Sequence, residues 1–516
     1  MKTTLKRRDF LRAVGFASSA WLPWRRTWAA DQPAVSLTGA AISLAARDIE
    51  DLAASLQGEL LLPTHARYEQ VRRVWNGSIN KRPALIAACV GAADVVRAVN
   101  FAREHQLLTA VRAGGHSTSG KSTCDGGIMI DLSPMRGVRV DPASRTAYLE
   151  PGTLLGQFDR ECTAFGLATT AGTVSNTGAA GLTLGGGFGR LGSRFGLACD
   201  NLKGADVITA SGTLVHTGEQ ENPELLWGLR GGGGNFGVVT SLEYRLHPMN
   251  PLVLGGMLNW PFERAREVLE FYAEYAPRKP DELCTDLFLR SVPGAQPNLS
   301  IMVCWSADHA AGERALEPIR KLARTAQGAV VATPYVHLQS IFDAGFPDGR
   351  KYYQKSGLVS ALTPRAIGML LDIFQTPRSY PLTVQLQGMG GAAHRVKPGD
   401  TAFFHREALW DMDLITSWED PGETDAHIAG MHAVWAQLEP LTKGFYVNSR
   451  YEDDLKAFRD NYGDNYPRLV KLKNRYDPLN LFRLNANVVP TARSGDASLA
   501  AHASGSLVQA YAGLTK

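Results

Sequence analysis

Arg112-Ala113-Gly114-Gly115-His116-Ser117 follows a short apolar run, Leu107 to Val111, and decides how the first half of the chain is read. Upstream, Pro83 to Val90 has the length and composition of a buried strand. Ala92 to His105 then sets Val95, Val99 and Ala102 on one helical stripe. The unit is strand, helix, strand and a glycine loop that ends on a histidine. Two further glycine loops follow, Thr177 to Gly189 and Gly231 to Gly237. Glycine admits positive φ and lets backbone N–H groups come close to a ligand. Several N–H groups turned into one concavity suit a pyrophosphate. The first loop lacks G-x-G-x-x-G spacing and no Walker A sequence occurs, which argues against nicotinamide dinucleotides and nucleoside triphosphates.

Around these loops the pattern is mixed. Leu44 to Leu56 and Leu154 to Phe165 are helical, and Val138–Asp141 with Thr146–Leu149 alternate about a turn as a hairpin. Ala205–Thr209 and Thr213–Thr217 form a second hairpin about Ser211-Gly212, and Val238 to Leu246 is a strand. Pro248 and Pro251 bracket a boundary. Beyond it, helices over Glu263–Tyr275 and Ala311–Thr325 mix with strands over Leu299–Trp305 and Leu382–Leu386, without a βαβ rhythm. The fold class is α+β. A length of 516 residues favours two domains: 31–250 with its core at 80–248, then 251–443 as a helix-backed sheet facing a substrate.

The net charge of +4 conceals an asymmetry. Lys2, Lys6, Arg7, Arg8, Arg12, Arg25 and Arg26 stand against Asp9 alone in residues 1–30, so the remainder is slightly acidic. That balance gives no reason to expect nucleic acid or stable membrane insertion. Arg7-Arg8 precedes an apolar stretch, Ala13 to Trp24, too short to span a bilayer, and Thr27-Trp28-Ala29-Ala30 offers small residues for cleavage. Residues 1–30 therefore read as a twin-arginine signal peptide, with the Tat translocase as partner and the periplasm or exterior as destination. The six cysteines form no CxxC pair and no zinc-spaced cluster with histidine, so no metal is expected and single buried thiols are.

The three loops and the C-terminus together resemble one family. Arg112 to Ser117 resembles the R-x-G-G-H-S loop of the p-cresol methylhydroxylase-type FAD-binding fold. Gly178 to Leu202 resembles the second flavin motif of its berberine bridge enzyme-like branch, Asn235 to Thr240 the strand that ends its FAD domain, and Tyr476 to Asn487 its closing signature. The resemblance runs from about Pro83 to Pro490 in the family's order. It implies a two-subdomain FAD-binding domain, a substrate domain, a segment 444–490 returning to the FAD domain, and a tail, 491–516. It also implies FAD linked covalently to His116, with contacts from Arg112, Ala113, Gly114, Gly115 and Ser117. Further contacts are implied from Thr177, Gly178, Gly181, Leu182, Gly186 and Gly187, from Gly237 and Val238, and from Asn448, Asn485 and Asn487. Many relatives carry a second tether from a cysteine. Val174 occupies that place here, so a single linkage is expected.

Flavin oxidation needs a C–H bond held over N5 and a group that takes the heteroatom proton. Phe445-Tyr446-Val447-Asn448 resembles the family's Y-x-N segment, which makes Tyr446 the candidate proton acceptor. Ser449 stands where many relatives have a second tyrosine. Gln385 and Gln387 point the same way on a strand, with no carboxylate or lysine among them to act as a dedicated base. His394 and His405 read as hydrogen-bonded structural residues. The implied function is oxidation of an alcohol, sugar, amine or other secondary metabolite, with dioxygen as acceptor and hydrogen peroxide as product. The alternatives are a dehydrogenase serving a quinone or redox protein, and a binding protein without turnover. Thr177 falls on the expected oxygen-facing wall.

Overall fold

The computed structural model describes residues 31–452 and 454–491. Residues 1–30, read above as a twin-arginine signal peptide, and all of the tail except Thr491 lie outside the described residues.

The first half is built on two sheets. One has the order Glu59–Leu61, Leu85–Ala88, Ile128–Asp131 and Thr109–Arg112, the last three parallel. Parallel strands need crossovers, and the helix Ala92–Glu104 supplies one, burying Val95, Ala98, Val99 and Ala102 against the sheet. The other sheet is antiparallel, in the order Leu214–Gly218, Leu202–Ile208, Val238–Arg245, Thr146–Leu149 and Val138–Asp141. After Lys443 the chain rejoins this half: Phe445, Phe458, Leu469, Leu472 and Val488 share a core with Leu149, Leu202 and Leu242.

The second half is one antiparallel sheet of seven strands. Its order is Val331–Pro334, Leu252–Pro261, Asn298–Trp305, Leu283–Ser291, Leu382–Gly388, Trp410–Trp418 and Lys351–Val359. Helices Ala265–Tyr275, Pro364–Gln375 and Thr424–Leu438 cover one face. Period-two alternation sorts each strand. Leu283, Leu287 and Leu289 join the helix-side core, and Trp410, Met412 and Leu414 do the same from their strand. Cys284, Asp286 and Phe288, and likewise Asp411 and Asp413, point to the other face. They too are buried.

Two local expectations need correction. Ala311–Thr325 is not one helix but His309–Ala315, Glu317–Leu322 and a 3-10 turn, Ala323–Thr325. Pro318, which lacks an N–H and crowds the carbonyl four residues back, falls at the break. The second glycine loop contains a short helix, Ala179–Leu184, despite Gly181 at its centre.

Candidate functional site

The strand Thr109–Arg112 delivers the first glycine loop to a cleft of about 370 Å³ between the two halves. Ala113, Gly114, Gly115, His116 and Ser117 line it. Opposite come Thr177, Gly178, Gly181 and Leu182 from the second loop, then Gly237 and Val238 from the third. Glycine is required where the first two loops meet: a Cβ on Gly114 would lie 2.3 Å from the Gly178 Cα. Gly115, at φ +71°, turns the chain so that His116 enters the cleft.

The other predicted residues divide between lining the cleft and supporting it from behind. Arg112 donates to the Val71 carbonyl at 2.9 Å and stands 3.5 Å from buried Asp131, bracing the loop from behind. Gly186 and Gly187 both have positive φ; side chains there would strike Phe403 and Ala198 respectively. Gln385 shares a sheet face with Gln387, yet only Gln387 reaches the cleft. Asn485 lines it, whereas Asn487 is buried beside it with an unpartnered Oδ1. His394 bonds to the Ala408 carbonyl and His405 to Asn461, and neither lines the cleft.

His116 is held by stacking. Its ring lies on Trp75 at 4.2 Å and 15°, and Trp75 lies on Tyr352 at 3.9 Å and 14°. His116 Nε2 is buried with no hydrogen-bond partner. Desolvation lowers the imidazole pKa to about 4, so the ring is neutral at neutral pH. Val174 lines the cleft, while the six cysteines are all buried free thiols away from it.

Tyr446 and Asn448 both reach the cleft. The phenol oxygen accepts from Gly187 N–H at 3.2 Å and Asn448 Nδ2 at 2.8 Å, and donates to the Leu182 carbonyl at 3.4 Å. Burial pushes its pKa well above the ordinary phenol value, so it is neutral.

The sequence reading missed a carboxylate pair. Asp411 stands opposite Gln387 and Asp413 opposite Gln385 on the adjoining strand. Ser356 Oγ donates to Asp411 Oδ1 at 2.5 Å and accepts from Tyr446 N–H at 2.9 Å. Asp413 bonds to Gln354 and Ser449, both cleft-lining. Each carboxylate keeps one buried oxygen without a partner. Burial raises both pKa values, and the Asp413 charge raises that of Asp411 further. The available signal was two aspartates at period two, Asp411 and Asp413, flanking Met412 in a strand bounded by Trp410 and Trp418.

The closing signature is clamped by a buried ion pair. Lys473 Nζ bonds to Asp477 Oδ2 at 2.8 Å and to the carbonyls of Asn235 and Phe482. The Asp477 carboxylate in turn receives the Leu481 and Phe482 N–H groups. Asn235 ties the third loop to this segment, donating to the Ala486 carbonyl and accepting from Val488 N–H.

Comparison with known proteins matches residues 83–218 to an FAD binding domain and residues 445–489 to the "Berberine and berberine like" domain. An FAD-linked oxidoreductase of Dictyostelium discoideum is 33% identical over 86% of this chain and 97% of its own. The chain belongs to the berberine bridge enzyme-like family of FAD-linked oxidoreductases. Another family member, (R)-6-hydroxynicotine oxidase of Paenarthrobacter nicotinovorans, is 31% identical over 84% of this chain and 97% of its own. The crystal structure of 6-hydroxy-D-nicotine oxidase from Arthrobacter nicotinovorans superposes with a TM-score of 0.78 at 28% identity, covering 84% of this chain and 98% of that one. A chitooligosaccharide oxidase structure gives 0.77 at 25% identity, covering 86% and 99%.

The residues present fit FAD as the family's cofactor. Cβ directions at cleft-lining Gly181 and Gly234 open onto free space, leaving backbone exposed where a dinucleotide would lie. The unpartnered His116 Nε2 and Asn485 Oδ1 are polar atoms that bound FAD would give partners.

Proposed function

We propose that this enzyme oxidises an alcohol, sugar, amine or related secondary metabolite, with dioxygen as electron acceptor and hydrogen peroxide as product. One observation carries the reading: the glycine loops and a polar sheet face bearing Gln354 and Gln387 open on a single cleft. When bound, FAD supplies the hydride acceptor at N5. The protein's work is to hold the substrate and move its proton. Gln387 orients the substrate from the sheet, with Gln385 behind it. Asp413, reached through Gln354 and Ser449, takes the heteroatom proton. It is a better acceptor than Tyr446, whose oxygen already receives two N–H groups. The test is a peroxide-coupled screen of sugars, alcohols and amines on the purified yellow protein. A substrate that reduces the flavin without peroxide formation would make it a dehydrogenase, and absence of any reducing substrate would favour a binding protein.

The same reading makes His116 the sole covalent attachment point for FAD. Its support is the neutral imidazole at the end of the cleft and the absence of any cysteine from the lining. Acid-precipitated protein keeps its yellow colour on this reading, and His116→Ala releases FAD to the supernatant. A flavin peptide containing cysteine contradicts the single linkage. Residues 1–30 direct the folded, FAD-loaded enzyme to the Tat translocase and the periplasm or exterior.

A further inference from the structure

We infer that Trp75, backed by Tyr352, is the positioning residue that aims His116 at the flavin, so that FAD attachment depends on docking of the second half of the chain. The inference rests on the reading of His116 as the attachment point and adds what makes the attachment possible.

The geometry is a three-ring stack drawn from three separate parts of the chain. His116 belongs to the first glycine loop, Trp75 to the segment before the strand Leu85–Ala88, and Tyr352 to the seven-stranded sheet. Trp75 is fixed at its edge, with Nε1 donating to the Phe346 carbonyl at 3.0 Å. Its own N–H donates to the Gly115 carbonyl at 2.9 Å, one residue before the histidine. The neighbouring Asn76 is fully buried and joins the same three parts. Its Nδ2 donates to the Thr118 and Tyr352 carbonyls, and its Oδ1 accepts from Tyr352 N–H. The Tyr352 hydroxyl is anchored to the Pro347 carbonyl at 2.9 Å. The Trp75 and Tyr352 rings are thus each tied to backbone at one edge.

The His116 imidazole hydrogen-bonds to Asn176 and to its own backbone, while Nε2 is buried without a partner. Contacts along one edge leave the ring's plane to be set by what lies on its face, and that is the stack on Trp75. Attachment joins an imidazole nitrogen to the 8α carbon of FAD. The methyl group loses one hydrogen, the imidazole gives up its N–H proton, and the two electrons leave with both protons to dioxygen as hydrogen peroxide. Such a step requires the nitrogen in line with the carbon, and a displacement of about 1 Å costs roughly 10²-fold in rate. A face-to-face indole leaves the imidazole able to slide but not to tilt.

The measurement is the ratio of acid-stable to total flavin in purified enzyme, made for Trp75→Leu, Trp75→Phe, Tyr352→Leu and Tyr352→Phe. Total flavin and melting temperature report the fold, while the ratio reports the aim of His116. Trp75→Leu and Tyr352→Leu are expected to bind FAD yet release a large fraction on acid precipitation. Both phenylalanine variants keep a ring in place and stay covalent. Complete attachment in Tyr352→Leu overturns the inference, even if Trp75→Leu fails to fold. Equal losses in the leucine and phenylalanine variants overturn it too, since stacking would then not be the cause. Acid-extractable flavin in the wild type overturns the reading of His116 itself, and with it this one.

Discussion

Asp413 stands directly across from Gln385 on paired strands, and the groups it meets are the neutral side chains of Gln354 and Ser449. Burial outweighs the hydrogen bonds from Gln354 and Ser449 and raises the Asp413 carboxyl pKa to about 6, so it holds a proton more tightly than an ordinary carboxylate. That is the property a proton acceptor near neutral pH needs.

Asp413→Asn tests this with two opposed outcomes. Flavin reduction by substrate is expected to slow roughly 10²- to 10⁴-fold. Stability moves the other way. Burial raises the carboxyl pKa, so the ionised form costs the folded state at high pH, and the cost vanishes once pH falls below the ordinary carboxylate range. The variant should therefore melt higher than wild type at pH 8, with a smaller gain at pH 5. A lower melting temperature at pH 8 would show that the charge is compensated.

Tyr446→Phe separates base from brace. Loss of the hydroxyl leaves the Gly187 N–H and the Asn448 amide short of an acceptor, a loss of about 1–3 kcal/mol of stability by calorimetry. Flavin reduction is expected to slow less than in Asp413→Asn. The reverse order would return the proton to the tyrosine.

Lys473→Met leaves Asp477 charged, buried and without its cation. Breaking such a pair costs about 3–5 kcal/mol. Phe482, Asn485 and Ala486 line the cleft just beyond the clamp, so FAD content should fall with stability. Denaturant melts with flavin quantified by absorbance check both, and undiminished FAD content would detach the closing signature from the cofactor.

Replacing Arg7 and Arg8 by lysine should leave the precursor in the cytoplasm, read by fractionation and peroxide assay. Unchanged export would point to another route.

The backbone part of the site was legible because glycine patterns report backbone demands. Gly114, Gly115 and Gly178 stand where a close approach or a positive φ excludes other residues, and no distant partner is needed to recognise that. Side-chain function across the sheet was not legible in the same way. Gln387 announced itself on one strand, but Asp411 and Asp413 matter only through a pairing between strands. Their burial depends on the other half of the molecule covering the sheet. Trp75 was silent for the same reason: its partners are 41 and 277 residues away in sequence. The split at Pro318 was legible too, since a proline inside a helical run removes an N–H and crowds the preceding turn.

The core that joins Leu149 and Leu242 to Phe458 and Val488 carries a consequence for biosynthesis. The early strands emerge from the ribosome with an apolar face whose cover is encoded roughly two to three hundred residues later. At translation rates of about 5–20 residues per second, that face waits on the order of tens of seconds. The nascent first half is thus a client for chaperones, and cofactor capture belongs after chain termination.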